Sequence, residues 1–345
     1  MAAGAGKQAW RNNSMLLAGD IGGTKTALAI LSDEGGPYAP LTQMEVHSAD
    51  YASLGAIATE FVTQAQLPVD RACFGVAGPV FGGRVTTTNL PWHIDEASIA
   101  KDLNLKAVHL MNDLEAIACC VPKLRPVDVH TINAGEPAAG AALAVIAPGT
   151  GLGESFLTWN GQRYKAQCSE GGHSDFAPTD VIQLRLLEFM LKRFDHVSYE
   201  HVCSGIGVPY VYDFLGEVEN VPENPEIADQ VASARDRSMP IIRYALDPHS
   251  PSKRCAATIN IVASILGSEA GNLALKVLAT GGVYLAGGLA THILPVLDGP
   301  NFLQPFRLKG RFSDMMSRIP VHIIVGRAAL AGAAIYGLES LRNGA

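Results

Sequence analysis

Short apolar runs separated by glycine-rich turns recur along the chain. Residues 16–20 form one run, and after a turn at residues 21–25 a second run covers residues 26–31, which predicts a β-hairpin. The same order of run, glycine turn and run returns at residues 142–147, 148–153 and 154–159. Two such hairpins predict a duplicated architecture with phosphate groups bound between the two halves.

Strands and helices alternate between the two hairpins, and helices prevail after residue 178. The predicted strands are Thr42–His47, 72–76, 108–111 and Gly282–Leu285. The predicted helices are 54–66, 96–103, one that begins at Asn112 and Asp113, 179–193, a segment around 227–246, 255–278 and a closing helix at 327–341. This alternation predicts an α/β protein with a mainly parallel core, and a domain boundary near residue 113.

Composition narrows the classes of function. Of the 345 residues, 48% are apolar and 17% are charged, which indicates a folded chain with room for two domains. The formal net charge is −7 and no Lys/Arg run is present, so nucleic-acid binding is not expected. The six cysteines show no C-x-x-C spacing, which favours reduced thiols in a cytoplasmic protein.

Two segments of the sequence bear on where in the cell the protein is located. Residues 1–14 lack the apolar stretch of a signal peptide and are predicted to form a flexible tail. Residues 255–278 form the longest apolar helical stretch, but polar residues such as Glu269 and Lys276 interrupt it. We therefore predict a core helix there and no membrane partner.

The first glycine turn sets a carboxylate beside backbone amides. The spacing in Gly19-Asp20-Ile21-Gly22-Gly23-Thr24 fits neither a Walker A loop nor a dinucleotide-binding fingerprint. Glycine allows backbone N–H groups to approach phosphate oxygens, Thr24 adds a hydroxyl donor, and Asp20 is suited to bind hydrated Mg²⁺. A plain hairpin turn is the alternative interpretation.

The second turn, Gly149-Thr150-Gly151-Leu152-Gly153, has the same character. Its amides are suited to bind the β- and γ-phosphates of a nucleotide, with one more hydrogen bond from the Thr150 hydroxyl. A hairpin turn is again the alternative, but the presence of both turns favours phosphate binding.

Asn112 and Asp113 follow a predicted strand and precede a helix. Asp113 at this position is typical of a helix N-cap. An aspartate at the carboxyl end of an α/β strand is also well placed to face a cleft, where phosphoryl transfer needs one group to accept the proton of the attacking hydroxyl. The two roles are compatible.

A carboxylate and an imidazole flank a double glycine in Glu170-Gly171-Gly172-His173. Together they are suited to bind the neighbouring hydroxyls of a hexose in a fixed orientation. A lone Glu or His is more often solvated or internally bonded, and Glu200 by itself would be interpreted as a surface residue.

Eight segments in order resemble the bacterial-type glucokinase family, within the actin/hexokinase-like sugar kinases. They are GDIGGTKTALAIL (19–31), FGVAGPV (74–80), TNLPW (88–92), MNDLEAIA (111–118), APGTGLGESFL (147–157), SEGGHSDFAP (169–178), YEHVCSGIG (199–207) and AGGLA (286–290). The resemblance implies a two-domain actin/hexokinase-like (ribonuclease H-like) α/β fold with an interdomain cleft. It implies a small domain at 15–113 plus 327–345, a large domain at 114–326, and a homodimer.

The resemblance also implies residue roles. Asp113 is implied as the general base in ATP-dependent phosphorylation of D-glucose at the 6-hydroxyl, the first step of glycolysis. The residues implied to bind glucose are Asn89, Asn112, Asp113, Glu170, His173 and Glu200. Those implied to bind ATP are Gly19, Asp20, Gly22, Gly23, Thr24, Gly149, Thr150, Gly151 and Gly153 at the phosphates, and Gly287 and Gly288 by the adenosine. Asp20 is implied to contact Mg²⁺ through water.

Two departures from the family pattern concern Lys25 and the tail at residues 1–14. Lys25 stands where many members have asparagine, and a phosphate contact is one option for it; the tail has no counterpart. The related ROK family binds zinc with a similar histidine and a cysteine cluster. No such cluster follows His173, and Cys203 is isolated, so we predict no zinc.

Three alternatives stay open at this point. A kinase of another hexose or hexosamine would use the same residues with a different hydroxyl pattern. A sugar-responsive regulator is disfavoured by the negative charge and by the short segment before the first strand. An actin- or chaperone-like ATPase would leave Asp113, Glu170 and His173 without a common purpose. A polyphosphate or ADP donor is disfavoured relative to ATP by the two phosphate turns.

Overall fold

The computed structural model describes residues 15–86 and 90–340, and its contacts divide the chain into two units. The first unit comprises the described residues up to Arg125 and those from Arg327 onward, and the second is Pro126–Gly326. Asn89 and the predicted tail at residues 1–14 lie outside the described residues. The predicted domain limits at residues 113 and 327 stay predictions.

The first unit is built on a five-stranded sheet with the order β3-β2-β1-β4-β7. Its strands are β1 (Met15–Ile21), β2 (Lys25–Ser32), β3 (Thr42–His47), β4 (Val69–Val76) and β7 (Ala107–Asn112), and a separate ribbon pairs β5 (Arg84–Thr86) with β6 (His93–Asp95). Strands β1, β2 and β3 run antiparallel, whereas β1, β4 and β7 run parallel. The carboxyl ends of β1, β4 and β7 therefore meet at one edge of the sheet.

Helices cover both faces of this sheet. They are α1 (Leu54–Ala65), α2 (Glu96–Asp102), α3 (Asp113–Cys120) and the C-terminal helix (Ala328–Ser340), with 3₁₀ turns at Ser48–Asp50 and Val121–Lys123. One apolar cluster joins α1 and α2 to the sheet, and another joins α3 and the C-terminal helix to it. Gly332 allows that last helix to approach closely, because a methyl group there would overlap the Ala116 carbonyl.

The second unit repeats the strand plan and adds one strand, in the order β11-β10-β9-β12-β13-β8. Its strands are β8 (Val129–Asn133), β9 (Leu143–Pro148), β10 (Leu152–Trp159), β11 (Tyr164–Ser169), β12 (Gly282–Leu285) and β13 (Val321–Ile324). As in the first unit, an antiparallel three-stranded meander is followed by two parallel partners. This repeat agrees with the duplication predicted from the two hairpins, and the predicted α/β fold class is confirmed. The predicted mainly parallel core is wrong, because antiparallel pairs form half or more of the strand pairs in each sheet.

The helices of the second unit surround the 25-residue helix α9, which is buried along most of its length. They are α4 (Val181–Leu191), α5 (Glu200–Cys203), α6 (Gly207–Glu217), α7 (Pro225–Ser233), α8 (Ser238–Ala245), α9 (Lys253–Val277), α10 (Gly288–His292), α11 (Leu294–Leu297), α12 (Pro300–Arg307) and α13 (Ser313–Arg318), with 3₁₀ turns at Pro126–Asp128, Gly171–His173 and Gly310–Phe312. Gly267 and Gly271 of α9 allow α12 to pack at short range, since methyl groups there would overlap the carbonyl groups of Phe302 and Phe306.

The single helical segment predicted around residues 227–246 is wrong, because the structure has two helices there, α7 and α8. Side-chain interactions stabilise the break between them. Asp236 Oδ1 accepts hydrogen bonds from the Ser238 amide at 3.0 Å and from its hydroxyl at 2.6 Å. Arg237 donates to both carboxylate oxygens of Asp213, at 2.6 and 3.0 Å. In the part of the chain that the structure describes, no helix is long and apolar enough to cross a membrane.

Candidate functional site

Two carboxyls lie at the carboxyl edge of the first sheet. Asp20 of β1 pairs in register with Gly75 of β4, which pairs in turn with Met111 of β7, directly before Asn112 and Asp113. Gly75 allows the start of α3 to pack close to the sheet: a Cβ atom there would lie 3.0 Å from the Cβ of Ala116 and 3.7 Å from the Cα of Asp113. Both aspartates therefore approach the same edge.

Asn112, and not Asp113, is the N-cap of α3. Its Oδ1 accepts a hydrogen bond from the Leu114 amide at 2.9 Å, and its Nδ2 donates to the Gly78 carbonyl at 3.0 Å. Asp113 is the first residue of the helix, and its Oδ1 accepts from the same Leu114 amide at 2.9 Å. Its other carboxylate oxygen is thus not needed for capping.

The surroundings at this edge raise the pKa of both carboxyls above the usual aspartate value. Burial and, less strongly, the charge of Asp113 raise the pKa of Asp20 to about 6, against the Arg327 guanidinium, which lowers it. Burial also raises the pKa of Asp113, against the hydrogen bond from the Leu114 amide. A carboxylate with a raised pKa is a stronger proton acceptor, as a general base requires.

The first glycine turn uses part of its own hydrogen-bonding capacity. The Gly22 amide donates to the Lys25 carbonyl at 3.0 Å, and Ser48 fixes the turn by donating its hydroxyl to the Gly22 carbonyl at 2.8 Å and its amide to the Thr24 carbonyl at 3.0 Å. Gly23 is partly exposed and Thr24 is exposed. The amides of these two residues are better candidates for a phosphate than that of Gly22.

Lys25 lies in an ion-pair network that the sequence did not indicate. Its Nζ is 2.7 Å from Glu45 Oε1, while Arg327, just before the C-terminal helix, is 2.8 Å from Glu45 Oε2. Glu45 and Arg327 are separated by most of the chain, so no local pattern would have joined them. The suggested phosphate contact of Lys25 stays a prediction.

Three glycine segments of the second unit meet at the carboxyl edge of β9 and β12. The Gly205 amide donates to the Gly149 carbonyl at 2.8 Å, and the Ile206 amide donates to the Thr150 carbonyl at 3.0 Å. Gly287 has a φ of +87°, and a methyl group there would overlap the Pro148 carbonyl. The predicted phosphate turn and the predicted adenosine turn are therefore in contact.

Glu200 contacts the phosphate turn directly. Its Oε2 accepts a hydrogen bond from the Leu152 amide at 2.8 Å, and a methyl group at Gly151 would overlap this carboxylate. One amide of the turn is thus bonded within the protein, and Gly151 must lack a side chain for Glu200 to take this position.

The Glu170–His173 segment forms a tight turn closed by the His173 amide, which donates to the Glu170 carbonyl at 3.0 Å. The side chains of Glu170 and His173 are both exposed. Its glycines pack on β10, since a methyl group at Gly172 would overlap the Leu152 carbonyl and one at Gly171 would overlap the Glu154 carboxyl. The predicted sugar turn and the predicted phosphate turn therefore meet at the start of β10.

The predicted site residues thus form one group in each unit. The first unit contains Gly19, Asp20, Gly22, Gly23, Thr24, Asn112 and Asp113, and the second contains Gly149, Thr150, Gly151, Gly153, Glu170, His173, Glu200, Gly287 and Gly288. The sequence analysis missed Glu45, Ser48 and Arg327 in the first unit, and Glu154 with Glu269 in the second. Glu154 and Glu269 could have been identified from the sequence as unusual, because each is a carboxylate inside an apolar run.

The chain is similar to proteins of one family over nearly its whole length. The family model described as Glucokinase matches residues 17–340. A relative from Nostoc punctiforme, named Glucokinase, is 36% identical over 337 residues, which cover 93% of this chain and 98% of the relative.

Solved structures of similar fold include a glucokinase from an Antarctic psychrotroph, with a TM-score of 0.78, 28% identity, and coverage of 93% of this chain and 98% of that one. A ROK family glucokinase from Streptomyces griseus, solved in complex with glucose and AMPPNP, has a TM-score of 0.61 at 20% identity and covers 94% of this chain and 98% of its own. At that identity the second likeness concerns the fold alone.

Proposed function

Because this chain belongs to the glucokinase family, we propose that it transfers the γ-phosphate of ATP to the 6-hydroxyl of D-glucose, with Asp113 as the general base. One observation carries the residue assignment: Asp113 is a partly buried carboxyl with a raised pKa at a sheet edge that also carries Asp20 and a glycine turn. Asn112 caps the helix and leaves Asp113 available for proton transfer.

Asp113 accepts the proton of the attacking hydroxyl as the bond to phosphorus forms. Its raised pKa favours that acceptance, and a base of this kind contributes about 10²–10⁴-fold in rate. The amide hydrogen bond to Oδ1 fixes the orientation of the carboxylate, so that its second oxygen is available to the substrate.

The backbone amides of the two glycine turns bind the phosphates of ATP. In the first turn we assign this role to Gly23 and Thr24, because the Gly22 amide closes the turn. In the second turn we assign it to Thr150 and Gly151, because the Leu152 amide is bonded to Glu200. Gly287 and Gly288 lie beside this turn and are assigned to the adenosine.

Asp20 suits a hydrated Mg²⁺ ion. Within residues 15–86 and 90–340, no cluster of three His, Cys, Asp or Glu side chains is present to surround a metal. Magnesium that keeps its waters and binds substrate phosphates needs only one or two carboxylates, and the crowding of negative charge at Asp20 favours a cation there. The ion would supply neutralisation of the charge on the phosphates.

The sugar is assigned to Asn112 and Asp113 in the first unit and to Glu170, His173 and Glu200 in the second. The exposed Glu170 and His173 side chains present a carboxylate and an imidazole from one rigid turn, a combination that both accepts from and donates to sugar hydroxyls. The crystallised Streptomyces griseus relative binds glucose together with AMPPNP. A cytoplasmic location, a homodimer and a role at the start of glycolysis complete the proposal.

Release of ADP by the purified chain tests this function. Glucose, mannose, fructose and N-acetylglucosamine are offered with ATP and Mg²⁺, and phosphorus NMR identifies the sugar phosphate. We expect glucose to give the highest kcat/KM and glucose 6-phosphate to be the product. If no hexose stimulates ADP release, the kinase proposal is wrong; if another hexose is clearly preferred, the assignment to glucose is wrong.

A further inference from the structure

A pair of buried carboxyls in the second unit has no role in the proposed chemistry. Glu154 of β10 is 1% exposed and Glu269 of α9 is 0% exposed. The charge of Glu269 acts on Glu154 and raises its pKa, and two carboxyls that face each other without water form a hydrogen bond only when one of them is the neutral acid. Buried carboxyl pairs are rare in proteins unless other groups satisfy them, so their surroundings matter.

Glu269 has the partners of a carboxylate. Its Oε2 accepts a hydrogen bond from Asn272 Nδ2 at 2.9 Å, and its Oε1 lies 3.3 Å from Lys276 Nζ. Asn272 also donates to the Tyr199 hydroxyl at 3.0 Å and accepts from Lys309 Nζ at 2.8 Å. Both carboxyl oxygens of Glu269 therefore have a partner that donates to them.

Glu154 has the surroundings of a carboxylic acid. Its Oε1 is buried and, among the described residues, has no donor directed at it. A buried acceptor without a donor is destabilising, and more so if it is charged, whereas the protonated form of Glu154 carries a donor of its own. Burial raises the pKa of Glu154, the negative charge of Glu269 raises it further, and Lys276 opposes the shift less strongly.

The other groups that face this pair do not favour a second negative charge. Tyr199, before α5, and Cys203, on α5, are neutral, and the pKa of each is raised by burial and by the charge of Glu269. Glu200 adds negative charge nearby. Two lysines face the pair: Lys276, which is ion-paired with Glu269, and Lys309, whose pKa is lowered by burial.

Glu154 also contacts the turn that carries the proposed sugar ligands. A methyl group at Gly171 would overlap Glu154 Oε2, so this oxygen lies directly against the backbone between Glu170 and His173. On the other side, Glu154 follows the phosphate turn in β10 by one residue. A displacement of this carboxyl therefore moves the Glu170–His173 turn first.

We propose that Glu154 is protonated in the folded protein and donates a hydrogen bond to Glu269, and that this acid pair positions the Glu170–His173 turn for the sugar. The inference rests on the proposed function, in which that turn binds glucose. Glu154 is a positioning residue, since it touches the turn and not the substrate. When Glu154 ionises at alkaline pH, two buried carboxylates repel each other, the turn moves, and the KM for glucose rises while the KM for ATP changes little.

The test compares the pH dependence of the KM for glucose in three variants, from about pH 6 to about pH 9.5, a range above the usual glutamate pKa. Glu154→Gln retains a donor toward Glu269 and cannot ionise, so we expect a normal KM at neutral pH and no alkaline rise. Glu154→Ala removes the donor, and we expect the KM for glucose to rise about tenfold at every pH, equivalent to one lost charged hydrogen bond. Ser155→Ala is the matched control, because Ser155 Oγ is also buried and without a partner among the described residues, yet is the adjacent residue on the strand.

An alkaline rise in Glu154→Gln equal to that of the wild type would overturn the proposal. So would a Glu154→Ala variant whose KM rises equally for ATP and glucose. A second readout needs no activity: wild type and Glu154→Gln are unfolded by urea over the same pH range. A raised pKa in the folded state means that the folded protein binds the proton more tightly, so the wild type loses stability as pH rises above the usual glutamate pKa. Glu154→Gln lacks that slope, and identical slopes would contradict the acid pair even if no hexose is phosphorylated.

Discussion

The two units share an order of strands and carry different chemistry at the equivalent edge. In the first unit the edge carries two carboxyls, Asp20 and Asp113, and the charge of Asp113 shifts the pKa of Asp20. In the second unit the edge carries glycine segments around Gly149, Gly205 and Gly287, whose backbones contact one another. The first edge thus combines two carboxyls with one glycine turn, whereas the second brings three glycine segments into contact.

The residues that pack against each sheet edge account for this difference in chemistry. Gly75 in the first unit allows the start of α3, with Asp113, to pack close to the sheet. In the second unit the nearest carboxylate, Glu200, is bonded to the Leu152 amide and organises the turn. Asp113 also accepts an amide hydrogen bond, but burial raises its pKa, which suits it to accept a proton.

Removal of the base from the first unit should have the largest effect. We expect Asp113→Asn to lower kcat by about 10²–10⁴-fold with little change in the KM for glucose or ATP, because the amide keeps the shape and cannot accept the proton. Asp70→Asn is the matched control, since Asp70 lies at the opposite end of β4 in an ion pair with exposed Lys106. Steady-state kinetics measure both. Near-normal turnover in Asp113→Asn would exclude Asp113 as the base.

Asp20 should give the first unit a pH dependence on the acid side, in contrast to the alkaline dependence expected from Glu154 in the second unit. The Asp20 carboxyl has a folded pKa of about 6, so the fraction able to bind Mg²⁺ falls as pH decreases through that value, and the Mg²⁺ concentration for half-maximal rate should rise. Arg327→Met removes a positive charge that lowers this pKa, and should move the acid limb to higher pH. Asp20→Asn should weaken Mg²⁺ dependence at all pH values. An acid limb unchanged in Arg327→Met would argue against Asp20 as its origin.

Substitutions in the sugar turn should sharpen the assignment within the second unit. For Glu170→Gln and His173→Ala we expect the KM for glucose to rise about tenfold, equivalent to one charged hydrogen bond, with the KM for ATP nearly unchanged. His196→Ala serves as control, because this exposed histidine pairs with Asp175 and is assigned no ligand. An effect confined to the KM for ATP would contradict the sugar assignment.

The smallest expected effect concerns backbone conformation at the second edge. Gly287→Ala should lower the free energy of unfolding by about 1–2 kcal/mol, because its positive φ disfavours a side chain and the added methyl group meets the Pro148 carbonyl. Gly288 is the first residue of helix α10 and has open space around its Cβ position. We therefore expect Gly288→Ala to leave the free energy of unfolding unchanged or slightly higher. Urea unfolding of both variants measures the difference; equal stabilities would mean that the contact with Pro148 adjusts freely.

Local patterns were enough to predict most elements of the fold. Both hairpins, four further strands and the long helix α9 follow from apolar runs with turn residues between them, whereas the strands β5, β6, β8, β11 and β13 were not predicted. The prediction of one helical segment around 227–246 was wrong because the chain between α7 and α8 is stabilised by Asp236 and by the contact of Arg237 with Asp213. Asp213 lies more than twenty residues away, so no local pattern indicates this contact. The six-stranded sheet likewise required β8 to pair with β13, far apart in the chain.

The sequence by itself determined the family, the fold class and the identity of the candidate ligands, because these depend on residue type and on order along the chain. Only the tertiary structure decided the state of each group. In the structure Asn112 caps the helix, and the Gly22 amide donates within its own turn. Glu200 accepts a hydrogen bond from the Leu152 amide, and the charge of Glu269 raises the pKa of Glu154. Burial and hydrogen-bond partners come from residues distant in the chain, and they decide whether a carboxyl acts as a base, a cation ligand or a structural acid.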